Sequence, residues 1–177
     1  MSRRRTARRS PATSLTTSDE SFFTTADFVL PATIDLPHSP QQIWDALTDD
    51  RLGAWMPIVD RARWIDPAPR SRGARRTIRL LRWVTLDEEF HIWEKNRRLA
   101  FRALDIRPRV VNGWAEQAQL DALPDGGTRL TYTIAINAPI LRLVPIPGFL
   151  TPAAAALSRR MLRGIQTVLP PPAAPID

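Results

Sequence analysis

Apolar and polar residues alternate along the segment 28–36. Ile34 and Leu36 fall on one face of it, and Thr33 and Asp35 fall on the other. A period of two is typical of a half-buried β-strand. The same pattern recurs further along the chain, with turn-forming residues between the segments, and it predicts six more strands in an antiparallel meander: 59–65, 74–81, 84–94, 99–106, 110–123 and 128–137.

A helical signal follows the first strand. Ser39 is a suitable N-cap, Pro40 fits the first helical position, and Gln42 can complete a capping box. Gly53 and Pro57 end the helical region, which leaves room for two short helices.

The last helical signal lies near the end of the chain. Thr151 and Pro152 predict a helix start, and apolar residues then recur on one helical face. Because an amphipathic helix is not stable alone, its apolar face must pack on the sheet. The apolar positions are Leu157, Met161, Ile165 and Val168.

These elements predict an α+β fold in one domain. We expect a curved antiparallel sheet of seven strands, two short helices after the first strand, and one long C-terminal helix packed across the sheet. Residues 26–169 form the predicted domain. The Arg/Ser/Thr-rich stretch 1–25 and the proline-rich stretch 170–177 are expected to be disordered.

Charge is concentrated before this domain. The net charge is +7, and subtracting the five arginines within residues 3–9 leaves +2. Nucleic-acid binding is therefore not expected, although the tail can contact anionic surfaces. No apolar stretch of a signal peptide follows these arginines, so we expect no export.

The missing residue types exclude several classes of chemistry. The chain has no cysteine and only two histidines, so disulfides, a thiolate nucleophile and a His- or Cys-rich metal site are excluded. It also lacks a phosphate-binding glycine loop and a serine nucleophile elbow. We therefore predict no metal and no cofactor, in a cytoplasmic setting. A single lysine among 25 basic residues suggests a GC-rich, actinobacterium-like bacterial source.

Five short motifs resemble the START-related SRPBCC superfamily, and within it the polyketide cyclase/dehydrase and lipid-transport group. The resemblance spans residues 26–169 and rests on TIDLP at 33–37, SPQQIWDALTD at 39–49, WMP at 55–57, RRLAFR at 97–102 and GTRLT at 127–131. It implies a helix-grip fold with a ligand cavity between the concave sheet face and the last helix. Members of this superfamily bind lipids, hormones, polyketides or other apolar molecules, and some are enzymes.

Strand alternation indicates which side chains face such a cavity. Combined with positions on the helices, it gives a mostly apolar candidate set that either surrounds a ligand or fills the core. The candidate ligand-binding residues are Trp55, Phe90, Ile92, Phe101, Trp114, Glu116, Tyr132, Ile134, Leu157 and Met161.

Three polar or small residues need separate consideration. Glu116 shares the phase of Trp114, and an inward carboxyl would have a raised pKa and could exchange protons near Tyr132. A register slip of one residue would place it in water instead. His91 has the opposite phase to Phe90, so we expect it to point outward. Gly164 lies on the inner helix face and leaves room either for a ligand or for a close approach to the sheet.

Three functions fit these patterns. The leading hypothesis is binding or transport of an apolar small molecule or lipid in an internal cavity. The alternative is an aromatase/cyclase-like enzyme that uses Glu116 or Tyr132. A third hypothesis is an interaction module whose arginine-rich tail binds anionic lipid or RNA. The apolar linker 139–148 is expected to pack over the cavity end, to form a lid, or to form a lipid-facing patch.

Overall fold

The structure, a computed structural model, describes residue 15 and residues 19–109, 111–139 and 150–171. Its centre is an antiparallel sheet of seven strands in the order β1-β7-β6-β5-β4-β3-β2. The predicted sheet is therefore confirmed. The strands are β1 (Phe28–Leu36), β2 (Val59–Trp64), β3 (Arg75–Leu80), β4 (Val84–Glu94), β5 (Arg98–Arg107), β6 (Gly113–Ala122) and β7 (Thr128–Asn137).

Two short helices follow β1, as predicted: α2 (Pro40–Thr48) and α3 (Leu52–Trp55). The capping box is present, because the backbone N–H of Gln42 donates to Ser39 Oγ and the backbone N–H of Ser39 donates to Gln42 Oε1. Ile43 is fully buried on the inner face of α2. Local capping and an apolar helix face thus fix where this connection enters the core.

A helix that the sequence did not predict precedes the sheet. α1 (Phe22–Thr25) lies within the stretch expected to be disordered, and Phe22 is buried against Ala115 and Ala135 on the convex sheet face. The expected disordered leader therefore does not extend to residue 25. The sequence of α1 shows no helical periodicity of apolar residues, because a single helical turn is too short to show a period.

The expected long C-terminal helix is not confirmed. α4 (Leu150–Arg163) ends at Arg163, and the chain tightens into a 3-10 turn at Gly164–Thr167. Glycine is a weak helix former, so the change of geometry at Gly164 has a local cause. α4 packs against β1, and Ile165 is fully buried.

Among the described helices, none is both long and apolar enough to cross a membrane. Residues 140–148 of the predicted linker 139–148 lie outside the described residues.

A β-bulge changes which residues of β4 face the concave side. Phe90 pairs with Phe101 but Ile92 pairs with Ala100, so His91 is the extra residue. Beyond the bulge Trp93 shares the inner face with Phe90, and their ring centroids are 5.4 Å apart. The prediction that Ile92 faces the cavity is therefore wrong, because strict alternation does not hold across a bulge.

Aromatic rings fill the part of the concave face formed by β2 to β5. Phe90 lies 4.9 Å from Trp64 and 5.1 Å from Phe101, measured between ring centroids, and Trp93 makes an edge-on contact with Trp44 of α2 at 5.5 Å. Edge-on and tilted pairs at these distances are favourable beyond the area they bury. This region is filled core, and the open space lies beside it.

Candidate functional site

A cavity of about 140 Å³ lies between the concave face, α3 and α4. Four polar side chains face it, Arg76, Glu116, Tyr132 and Ser158, and the rest of its wall is apolar. The apolar residues come from α3 and the segment after it, from four strands and from α4: Leu52, Met56, Ile58, Ile78, Leu80, Phe101, Trp114, Ile134, Met161 and Leu162.

Glu116 is held in place by two hydrogen bonds. The indole Nε1 of Trp114, two residues earlier on β6, donates to Glu116 Oε1 at 2.7 Å. The phenol of Tyr132 on β7 donates to Glu116 Oε2. Glu116 and Tyr132 are each 8% exposed. The inward position of Glu116 that the alternation predicts is the one found in the structure.

Burial controls the protonation of this pair. Desolvation raises the pKa of Glu116, and the hydrogen bonds from Tyr132 and Trp114, together with the positive charge of Arg76, oppose that rise. Burial and the neighbouring carboxyl of Glu116 raise the pKa of Tyr132 well above its usual value. Tyr132 therefore keeps its proton at neutral pH and acts as a donor.

A second carboxyl lies behind Arg76. Arg76 Nε donates to Glu88 Oε2 at 2.9 Å, and Arg76 Nη2 forms an ion pair with the same oxygen at 2.8 Å. Both side chains are almost completely buried. The guanidinium carbon of Arg76 also lies 5.0 Å from the Phe90 ring centroid and 5.2 Å from that of Trp64. Arg76 therefore contacts both the aromatic core and the buried carboxyl of Glu88, and it also lines the cavity.

The charges around Glu88 do not fully compensate its burial. Desolvation raises the pKa of Glu88, the charge of Arg76 opposes this rise, and the carboxyl of Glu116 adds to it, so that the pKa is raised to about 7. Glu88 Oε1 has no hydrogen-bond partner in the described part of the chain. Near neutral pH Glu88 can therefore gain or lose a proton. This titration takes place beside the carboxyl of Glu116 and the guanidinium of Arg76.

The structure brings together six of the ten candidate ligand-binding residues. Phe101, Trp114, Glu116, Tyr132, Ile134 and Met161 line the cavity. Two of the others, Trp55 and Phe90, are buried in the core away from its wall, so their prediction as cavity residues is wrong. Ile92 lies on the other sheet face, next to His91, beyond the bulge. The side chain of Leu157 lies outside the described residues.

Sequence reasoning missed Arg76, which is the polar residue with the most contacts at this site. It shares the inner phase of β3 with Ile78 and Leu80, so alternation could have placed it inside. A charged side chain is rarely buried without a partner, so the sequence alone gives no reason to place an arginine in the core. Its partner, Glu88, lies on the neighbouring strand, and the pairing register that joins them is not visible in the sequence.

His91 lies on the convex face. His91 points outward, as predicted, and stacks on Phe23 of α1 with 6.4 Å between ring centroids. Burial and nearby arginines lower the pKa of His91. Over the described ranges, no group of three or more His, Asp or Glu side chains could hold a metal ion.

Comparisons with known proteins found a matching family and similar relatives. The model of the polyketide cyclase/dehydrase and lipid transport family matches residues 28–169. Rv2574 of Mycobacterium tuberculosis and Mb2604 of Mycobacterium bovis are each 34% identical over 116 residues, which is 65% of this chain and 69% of theirs.

Solved structures show the same fold at low sequence identity. A START superfamily protein from Mycobacterium smegmatis superimposes with a TM-score of 0.64 at 11% identity, over 80% of this chain and 96% of that protein. The protein jhp0584 from Helicobacter pylori superimposes with a TM-score of 0.67 at 11% identity, over 87% of this chain and 95% of that protein. At these identities the likeness concerns the fold alone.

Proposed function

Because the chain belongs to the polyketide cyclase/dehydrase and lipid transport family, we propose that it binds an apolar small molecule carrying one polar group. The observation that supports this proposal is the cavity itself, whose apolar wall is interrupted by Arg76, Glu116 and Tyr132. An apolar wall supplies affinity by burial, and a few fixed polar groups orient the ligand. The expected C-terminal end of the domain at residue 169 and the cytoplasmic setting are part of the same proposal.

The size of the cavity limits the ligand. A dry cavity of roughly 150 Å³ in a protein core can hold benzene, whereas pockets for drug-sized ligands occupy roughly 300–1,000 Å³. The cavity of about 140 Å³ therefore favours a one-ring molecule. A folded polyketide chain or a long-chain lipid requires its wall to move outward.

Filling the cavity should abolish this binding. Ile134 lines the cavity, so Ile134→Trp places additional aromatic volume where the ligand would lie. We expect the affinity for 4-ethylphenol, measured by titration calorimetry, to fall by at least about 10-fold, because the ligand loses its buried contacts. The matched control is Leu104→Trp, since Leu104 is 46% exposed and is not part of the cavity wall.

Two results would contradict the binding proposal. Equal affinity in the Ile134→Trp and Leu104→Trp variants would place the ligand elsewhere, and no binding of 4-ethylphenol by the unmodified protein would reject the one-ring ligand class. Native and denatured mass spectra of gently purified protein provide a second measurement. A copurified molecule in a fixed ratio, lost only from the Ile134→Trp variant, supports the cavity as the site.

A second candidate function is catalysis by the Glu116–Tyr132 pair. The observation that favours it is the hydrogen bond between two buried, titratable side chains at the cavity wall. A polyketide-like substrate that displaces Tyr132 from Glu116 would leave a carboxylate with a raised pKa beside the bound molecule. Such a group is suited to accept a proton.

The catalytic candidate is tested by Glu116→Gln and Tyr132→Phe, measured for the conversion of a poly-β-ketone thioester. Loss of a positioned acid or base should lower the rate by about 10²–10⁴-fold. Because the shapes of the side chains are nearly unchanged, binding of 4-ethylphenol should stay within about 3-fold. Conversion at the unmodified rate in both variants would exclude this mechanism.

The arginine-rich tail remains a third candidate, which deletion of residues 1–10 tests in a salt-dependent binding assay.

A further inference from the structure

The turn between β3 and β4 exposes two large apolar side chains. Leu81 is 57% exposed and Trp83 is 58% exposed, more than any other large hydrophobic residue in the described part of the chain. Trp83 immediately precedes the buried Val84. Nothing in the described structure covers them. Two neighbouring exposed side chains of this size need an explanation that a single exposed leucine does not.

The backbone of this turn is unusual for the residues it contains. Leu81 has φ +50° and Arg82 has φ +70°, which is the left-handed region normally occupied by glycine or asparagine. A turn chosen for stability would carry Asn-Gly at these positions. Because Leu81 is strained as well as exposed, folding stability does not account for its presence.

Uncompensated positive charge surrounds the turn. Arg61 of β2 lies directly opposite Arg79 of β3, and both are exposed, as is Arg82. Like charges directly opposite each other destabilise a sheet. The structure pairs none of these three side chains with a carboxylate within the described ranges. Asp60 is the acidic group at the turn, and it accepts from the backbone N–H of Arg82.

We propose that this hairpin docks the protein on an anionic lipid surface. Leu81 and Trp83 enter the headgroup region, where a tryptophan ring finds both apolar and polar contacts, and Arg61, Arg79 and Arg82 bind lipid phosphates. Charge complementarity supports this partner, because a surface of phosphates neutralises the opposed arginines and apolar lipid covers the two exposed side chains.

The position of the turn connects docking to the cavity. The backbone N–H of Leu81 donates to the carbonyl of Ile58 at 2.9 Å, and Ile58 and Leu80 both line the cavity. A docked protein therefore holds this part of the cavity wall close to the lipid. Docking does not require the proposed ligand, so the two proposals can be tested separately.

The test is cosedimentation of the full chain with large vesicles of phosphatidylcholine alone or with 30% phosphatidylglycerol. We expect binding to the anionic vesicles and a blue shift of tryptophan emission. Leu81→Asn combined with Trp83→Ser keeps a residue suited to positive φ at position 81, and it should lower the partition coefficient at least about 10-fold. Arg61→Gln combined with Arg79→Gln should lower it about 5-fold for each charge removed and flatten its salt dependence.

The control variant is Leu104→Ser, which removes another exposed apolar side chain, 46% exposed. Its partition coefficient should change less than about 2-fold. The proposal is overturned by equal binding to neutral vesicles, by no binding, by binding lost only on deleting residues 1–10, or by a dimer that the turn variant dissociates without any vesicle binding. Urea unfolding of the turn variant, compared with that of the unmodified protein, shows whether the variant is folded.

Discussion

The Arg76→Met variant should lose about 3–5 kcal/mol of unfolding free energy at pH 8.5, because breaking a buried ion pair leaves an uncompensated charge. Glu88 is fully buried, and its Oε2 accepts a hydrogen bond from Arg76 Nε and forms an ion pair with Arg76 Nη2. Methionine retains the apolar length of the side chain, so packing against Phe90 changes little. Urea unfolding followed by fluorescence measures the loss.

The loss should depend on pH. The pKa of Glu88 is about 7 in the folded protein, above its value of about 4.5 when unfolded. The folded state therefore binds more protons between these values, and stability falls as the pH rises from about 4.5 to 7. Without Arg76 the folded pKa is higher still, so the fall continues above pH 7. We expect a smaller difference between the variant and the unmodified protein at pH 5.5 than at pH 8.5.

Two further variants separate charge from packing. Arg76→Met combined with Glu88→Leu should recover most of the stability, since a buried pair replaced by apolar residues is often neutral. Arg102→Met removes the partner of Glu89 from a partly exposed pair at 2.7 Å, and it should cost less than about 1 kcal/mol. An equal loss in the Arg76→Met and Arg102→Met variants would show that the burial of Glu88 has no energetic consequence.

The sheet could be predicted from the sequence because each strand carries its own evidence. Alternation in β1 and β7, the capping box at Ser39 and the glycine turn after Leu123 are local signals, and local signals fix element type and order. Gly126 in this turn has φ +83°, a conformation that glycine adopts readily. The inward phase of Glu116 followed from the same reasoning.

The site could be predicted only in part, because its details depend on pairing between strands. The bulge at His91 moved Ile92 to the convex side, and the register of β3 and β4 joined Arg76 to Glu88. Neither is encoded in a local period. Phe90 had the correct phase but lies where the aromatic rings meet, so an inward side chain on this sheet is not necessarily a cavity side chain.

One part of the concave face is filled by aromatic side chains and another part is open, and this arrangement explains why a small cavity can persist. The aromatic side chains between β2 and β5 and the pair of Arg76 with Glu88 form a rigid, closely packed region beside it. On the other side, α4 approaches through Met161 and Leu162. A cavity between two packed walls does not collapse, since filling it would require one wall to move.

The Gly164→Ala variant should be less stable by about 1–3 kcal/mol, the usual cost of inserting volume into a packed site. A Cβ atom at position 164 would overlap the carbonyl oxygen of Trp55, which is backbone and cannot rotate away. Helix propensity alone predicts the opposite sign, a gain of up to about 1 kcal/mol. Thermal and urea unfolding therefore give a result whose direction decides between the two effects.

The outcome also decides between the two explanations of Gly164. The structure favours close approach, but to the backbone of α3 rather than to the sheet. Ala156→Gly on the exposed side of α4 is the control, and it should lose about 1 kcal/mol from propensity alone. If Gly164→Ala gains stability while Ala156→Gly loses it, the close approach to Trp55 is wrong and the missing side chain leaves space. If both variants lose stability, contact between the end of α4 and α3 is what requires glycine.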